Sequence, residues 1–265
     1  YNFASYKIYR STSSGVSESS TLVDTITSIS NLSTSVSSLN EITSYYFKVY
    51  VCNVSGQCTG SNETSSTTLY AGTYVSGSIA NDTTWTLVNS PYLIEATVEV
   101  NYNITLTIEA GVTVKYITDY YGIEVTGSIR AIGNSSEQIV FTALSTDEYS
   151  RPTLITFNPM VDFNNSQISY STLENGYKGI YIGQGTSGTL SIQNSTISNN
   201  IDSGIYIEYG SLNITNSTFT SNANYAIADP MGMSTAEISI DNCQFISNNG
   251  LWGAIFTGGT LIVSN

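Results

Sequence analysis

The sequence predicts an all-β chain, most of it a solenoid of stacked parallel strands. Three observations predict it. Segments of like residue classes recur at offsets of 22 and 26 residues, beginning at Leu190, Leu212 and Ile238. Asn stands at the same corner of each segment, at Asn194, Asn216 and Asn242, and the repeats carry no helical periodicity. A unit this short cannot bury its own apolar side, so the units must stack.

Composition sets the background for each element. The chain has 265 residues, 20 Asp+Glu against 7 Lys+Arg, no His, and a formal charge of −13. Ser, Thr and Asn number 41, 34 and 25, while 40% of residues remain apolar, which is too apolar and too sparsely charged for disorder. Without His, imidazole-based catalysis and metal ligation are excluded. Seven scattered bases cannot form a phosphate-neutralising stripe, so no nucleic-acid partner is expected. No apolar run is long enough to span a bilayer.

Residues 1–70 read as short strands: Tyr6 to Arg10 alternates, Thr21 to Ile26 follows a Ser/Gly loop, and Tyr45 to Val51 is aromatic and β-branched. This stretch resembles the second half of a fibronectin type III domain. Tyr6-Lys7-Ile8-Tyr9-Arg10 stands as its C strand, Leu39, Thr43 and Tyr45 resemble its tyrosine corner, and Asn53 to Gln57 its F–G turn. The resemblance implies an incomplete β-sandwich, because the two leading strands are not in the sequence. Residues 71–90 loosen into Gly- and Ser-containing stretches and are expected to be a linker and lead-in segment.

Residues 91–265 carry the repeats. Stacking places Ile192, Ile214 and Ile240 in one interior file and Ile197, Phe219 and Phe245 in another, with Asn194, Asn216 and Asn242 as an inward Asn ladder at a shared corner. These residues resemble the right-handed parallel β-helix family, with pectate-lyase-like repeats. At about 24 residues per coil this length gives about seven coils. Leu261 to Val263 begins a coil that does not finish, so an uncapped end is expected.

Cys52 and Cys58 flank a hairpin-like stretch and read either as a disulfide or as two free thiols; Cys243 reads as unpaired and buried. Ten Asn-x-Ser/Thr sequons suit an exported glycoprotein. With Asn194 and Asn216 expected to point inward, the candidates for glycan are Asn31, Asn53, Asn62, Asn81, Asn103, Asn134, Asn164 and Asn213.

Many β-helices are polysaccharide lyases or hydrolases, which need an acidic Ca²⁺ cluster with a base, or facing carboxylates. The acids read as scattered, without a shared coil position. Glu174, Asp202 and Asp229 come closest; the Asp147, Glu148 and Arg151 group reads as a surface loop. Tyr116, Tyr120, Tyr121, Tyr181, Tyr206 and Tyr209 form either a sugar-stacking strip or cross-strand packing, with Tyr181 and Tyr206 at equivalent outward positions. No catalytic, cofactor or metal residue is assigned; no cofactor is expected, and no motif indicates Ca²⁺.

The function expected from the sequence is therefore structural and non-enzymatic: a subunit of a prokaryotic extracellular surface layer, sheath or filament, self-associating or joined to flanking domains of the same polypeptide. The alternatives are a carbohydrate-binding cell-surface adhesin and a polysaccharide lyase or hydrolase.

Overall fold

A computed structural model describes residues 2–145, 147, 151–186, 188–229, 236–250 and 254–264. It divides into two units, 1–71 and 72–265. Of the expected linker and lead-in segment 71–90, Thr73–Ile79 and Thr83–Trp85 are strands paired into the second unit.

The first unit is one antiparallel sheet of β1 (Phe3–Ser11), β2 (Thr21–Ile26), β3 (Ser44–Asn53), β4 (Cys58–Gly60) and β5 (Thr64–Thr67), in the order β2-β1-β3-β4 with β5 also on β3. Among the described residues no second sheet faces it, so the expected sandwich layer is not seen. Tyr45, 5% exposed, accepts a hydrogen bond from the Asn40 N–H at 3.0 Å, an upstream backbone contact at the place expected for a tyrosine corner. Cys52 and Cys58 are cross-strand partners joined as a disulfide.

The second unit contains β6 (Thr73–Ile79), β7 (Thr83–Trp85), a single 3₁₀ turn (Leu87–Asn89) and β8 (Tyr92–Val100). Three short strands per coil follow: β9 (Thr105–Ile108), β10 (Thr113–Tyr116) and β11 (Ile123–Val125), then β12 (Ser128–Ile132), β13 (Ile139–Ala143) and β14 (Ile155–Phe157). The next coils are β15 (Gln167–Ser169), β16 (Ser171–Glu174) and β17 (Ile180–Ile182), then β18 (Thr189–Gln193), β19 (Thr196–Ser198) and β20 (Ser203–Ile207). Last come β21 (Ser211–Thr215), β22 (Thr218–Thr220) and β23 (Tyr225–Asp229), β24 (Glu237–Asp241), β25 (Gln244–Ile246) and β26 (Ile255–Thr257), and β27 (Thr260–Ser264). Each strand pairs in parallel with its counterpart one coil away, giving a parallel β-helix of about seven turns. Face A runs from β10 through β25, face B from β11 through β26 and face C from β7 through β27; the long β8 contributes to faces A and B.

Alternation along these strands fills the interior with apolar files. Face C stacks Ile108, Ala131, Ile168, Ile192, Ile214 and Ile240 in register, and face A stacks Phe141, Leu173, Ile197, Phe219 and Phe245. The Phe219 and Phe245 rings lie parallel at 5.2 Å. Almost all of these residues are buried to 1% exposure or less; only Phe245 is half-buried. Each large side chain contributes roughly 2 kcal/mol of hydrophobic stabilisation.

The corners follow one rule. Tyr170, Asn194, Asn216 and Asn242 have φ near +50°, and the residue after each turns inward: Ser171, Ser195, Ser217 and Cys243. The Ser195 hydroxyl accepts from the Ser171 N–H and the Ser217 hydroxyl from the Ser195 N–H, both at 3.2 Å. Cys243 takes the corresponding place, half-buried, with its Sγ donating to the Asp241 carbonyl; burial pushes its thiol pKa up. At the next corner Asn199, Ser221 and Ser247 have φ near +55°, and Asn200, Asn222 and Asn248 turn inward.

These last three are the interior Asn ladder. Asn200 Nδ2 donates to Asn222 Oδ1 and Asn222 Nδ2 to Asn248 Oδ1, each at 2.9 Å. The same oxygens accept the backbone N–H of Asn200 and Asn222. The second amide proton of each reaches a carbonyl, of Leu173, Ile197 and Phe219 respectively. Asn194, Asn216 and Asn242 are corrected as an inward ladder: Asn216 and Asn242 are exposed and Asn194 half-buried, although Asn242 Nδ2 does donate to Asn216 Oδ1 at 2.7 Å. A left-handed residue breaks strand alternation, so parity extended from the strand assigned the wrong side.

Asp229 departs from the apolar pattern. It occupies the interior position that Ile182 and Ile207 hold in the preceding coils of face B, and it is fully buried. Its Oδ2 accepts from Thr257 Oγ1 and the Gly259 N–H, while Oδ1 has no partner. Asp229→Asn keeps the accepting oxygen and removes an uncompensated carboxylate. It is expected to raise Tm by about 2–4 °C in a thermal melt, and a comparable fall would contradict this.

Candidate functional site

Strand register on face B builds one outward column. It runs Ser78, Glu99, Glu124, Thr156, Tyr181, Tyr206, Ala228 and Phe256, one residue per coil, at steps of about 4.8 Å. Two parts of it carry chemistry.

The first is aromatic. The Tyr181 and Tyr206 rings stand 5.8 Å apart at 38°. Lys178 Nζ lies 4.9 Å from the Tyr206 ring centre and 4.1 Å from that of Tyr177, and it pairs with Asp202 Oδ2 at 2.9 Å. Burial first, then the Glu208 hydrogen bond and nearby negative charge, push the Tyr181 pKa up to about 12; burial and the charges of Glu208, Asp202 and Asp229 raise Tyr206 in the same sense. An unfolded tyrosine ionises near pH 10. The folded Tyr181 keeps its proton to about 12, so its stabilising contribution is complete below pH 10 and is lost as pH rises from 10 to 12. Denaturant titrations at these two pH values are expected to show a smaller alkaline loss in Tyr181→Phe than in the native chain; an identical loss would contradict the assignment.

The second part is acidic. Glu99 and Glu124 are register partners on adjacent strands, and Asn158 Nδ2 donates to Glu124 Oε2 at 3.2 Å. The expectation that no acids share a coil position is therefore corrected. The signal was present in the sequence as Val98-Glu99-Val100 and Ile123-Glu124-Val125, 25 residues apart.

The acids singled out earlier do not converge. Glu174 stands on face A, Asp202 is ion-paired with Lys178, and Asp229 points into the core. Tyr116 is also corrected as a surface aromatic, since it is fully buried and donates to the Leu154 carbonyl at 2.8 Å. Tyr120, Tyr121 and Tyr209 are exposed but lie outside the column. Among the described residues, no group of three or more Cys, Asp or Glu stands close enough together to hold a metal ion. Of the loop acids, Asp147 is described, whereas Glu148 lies outside the described residues. Asn31, Asn62, Asn81, Asn103, Asn134, Asn164 and Asn213 are exposed and Asn53 is half-buried. Asn213 stands between Ser191 and Ser239, small neighbours on the outward side of face C.

No family model matches the chain, and no curated protein matches it. Among solved structures it is similar to pectate lyase PelI from Erwinia chrysanthemi, at 11% identity and TM-score 0.26, over 99% of this chain and 92% of that one. The same enzyme in complex with tetragalacturonic acid gives 11% identity and TM-score 0.22, over 95% and 84%. Pectate lyase Pel3 from Pectobacterium carotovorum gives 15% and 0.23, over 97% and 85%. The expectation that the chain is not an enzyme is corrected by these neighbours, which are enzymes. At such TM-scores the likeness transfers no activity; it removes the exclusion without supplying a reaction.

Proposed function

We propose that the chain is an extracellular carbohydrate-binding β-helix whose face B column holds a neutral polysaccharide running across the strands. The observation that carries this reading is the in-register Tyr181 and Tyr206 pair, two rings on successive coils bordered by the acceptors Asp202 and Glu208. Sugar rings offer C–H faces to aromatic planes and hydroxyl donors to carboxylates. A polyanion is disfavoured by the −13 charge and by the engagement of Lys178 with Asp202. The sequons and the small share of charged residues support an exported setting.

Titration with soluble neutral glucan and xylan, with polygalacturonate as the acidic comparison, tests this reading. Saturable binding of a neutral chain is expected. Retention of polygalacturonate alone, or of no polysaccharide, would overturn it.

A second reading, cleavage, is favoured by the Glu99 and Glu124 pair, since glycoside hydrolysis uses two carboxylates flanking one bond. Release of reducing ends from the bound polysaccharide, lost in Glu124→Gln with binding kept, would establish it. Binding without release would leave the chain a binding module.

A further inference from the structure

Arg10 belongs to the first unit, whereas the proposed polysaccharide column belongs to the second. Arg10 lies near the end of β1, paired across to Thr21 and Phe47, with its Cζ 5.4 Å from the centre of the Tyr45 ring. Its Nη1 is buried and has no hydrogen-bond partner. A buried guanidinium donor without a partner is costly, and in a chain of net charge −13 a carboxylate could readily have been placed beside it.

What stands beside it is a cavity of about 370 Å³ lined by Arg10, Tyr45 and five hydroxyl residues, with no carboxylate among them. Two of these hydroxyls already accept from the backbone. Ser11 Oγ accepts the Ser13 N–H at 3.0 Å, and Ser20 Oγ accepts the Ser17 N–H at 3.1 Å. One lone pair of each oxygen is taken by the backbone, and each O–H can still donate. A cleft lined by a guanidinium and five hydroxyl residues, without a competing acid, is an environment suited to an oxyanion.

We propose that this cavity binds a single small oxyanion, a sulfate or carboxylate group, with Arg10 as its charged anchor and Ser11 and Ser20 as hydroxyl donors. The planar guanidinium offers two parallel N–H bonds, so Lys is a poor replacement.

The full chain is titrated by calorimetry with sodium sulfate, sodium glucuronate and glucose, each in sodium chloride at matched ionic strength. Binding of sulfate, glucuronate or both is expected, with none for glucose; which of the two binds separates a free inorganic oxyanion from the carboxylate of a sugar acid. Arg10→Gln is expected to weaken binding about tenfold or more, and Arg10→Lys to fall between. Should Arg10→Gln fail to fold, the Ser11→Ala/Ser20→Ala double variant, which keeps the charge, decides: at least about a threefold loss supports the site. Absence of binding to the native chain, unchanged affinity in Arg10→Gln, or an unchanged double variant where Arg10→Gln does not fold would overturn it.

Discussion

Asn222→Ala is expected to lower the stability of the β-helix by about 4 kcal/mol, a fall in Tm of roughly 10 °C. The substitution removes a fully buried amide at the centre of the ladder. It leaves the Asn200 backbone N–H and Nδ2 without their acceptor, and the Asn248 Oδ1 and Ile197 carbonyl without a side-chain donor. Each such buried orphan costs about 1–3 kcal/mol, reduced where neighbours relax. Asn222→Asp is expected to be at least as damaging. Its first oxygen still serves Asn200, but the second is directed at the Asn248 and Ile197 oxygens, and a buried charge has no counter-ion there. Asn216→Gly is the control, because it preserves the left-handed corner (φ 50°) at an exposed site and should change stability by only about 0.5 kcal/mol. Thermal melts of the three variants decide the matter; equal losses for Asn222→Ala and Asn216→Gly would show that the ladder contributes no more than corner geometry does.

The second large effect concerns binding. Tyr206→Ala is expected to weaken neutral polysaccharide at least about tenfold, near 1.4 kcal/mol, and the Tyr181→Ala/Tyr206→Ala pair to remove measurable binding. Tyr206 carries more than stacking area, since its ring also lies beside the Lys178 ammonium that pairs with Asp202. Tyr206→Phe keeps the ring and should retain most affinity. Loss in Tyr206→Phe equal to that in Tyr206→Ala would shift the contribution from the ring to the hydroxyl, and full affinity in the double variant would remove this site from the proposal.

Much of the fold was legible because period-2 alternation and a repeat length are local properties of sequence. The files of Ile192, Ile214 and Ile240 and of Ile197, Phe219 and Phe245 follow from them directly. Side-chain direction at the corners was not legible. A residue at φ near +50° resets alternation, and Asn194 and Asn199 both adopt that conformation, so neither adjacent Asn nor strand parity identifies Asn200 as the inward one. Asp229 was hidden for a related reason: a carboxylate reads as surface until register places it in the file of Ile182 and Ile207.

The candidate site was legible in part. Tyr181 and Tyr206 were equivalent positions in clear repeats. Glu99 and Glu124 each carry a local mark, an acid between two β-branched residues, but their coils diverge from the later repeats, with loops of different length, so strand pairing was needed to put them in register. Tyr116 misled because an inward tyrosine whose hydroxyl reaches a buried carbonyl has no sequence mark of its own.

Backbone amide shifts of the native chain, recorded during titration with a neutral glucan hexasaccharide, test the central claim most directly. The account predicts saturable perturbations concentrated on Thr156, Tyr181 and Tyr206 and their face B neighbours, absent in Tyr206→Ala. Perturbations centred on face A or face C, with face B unmoved, would contradict it.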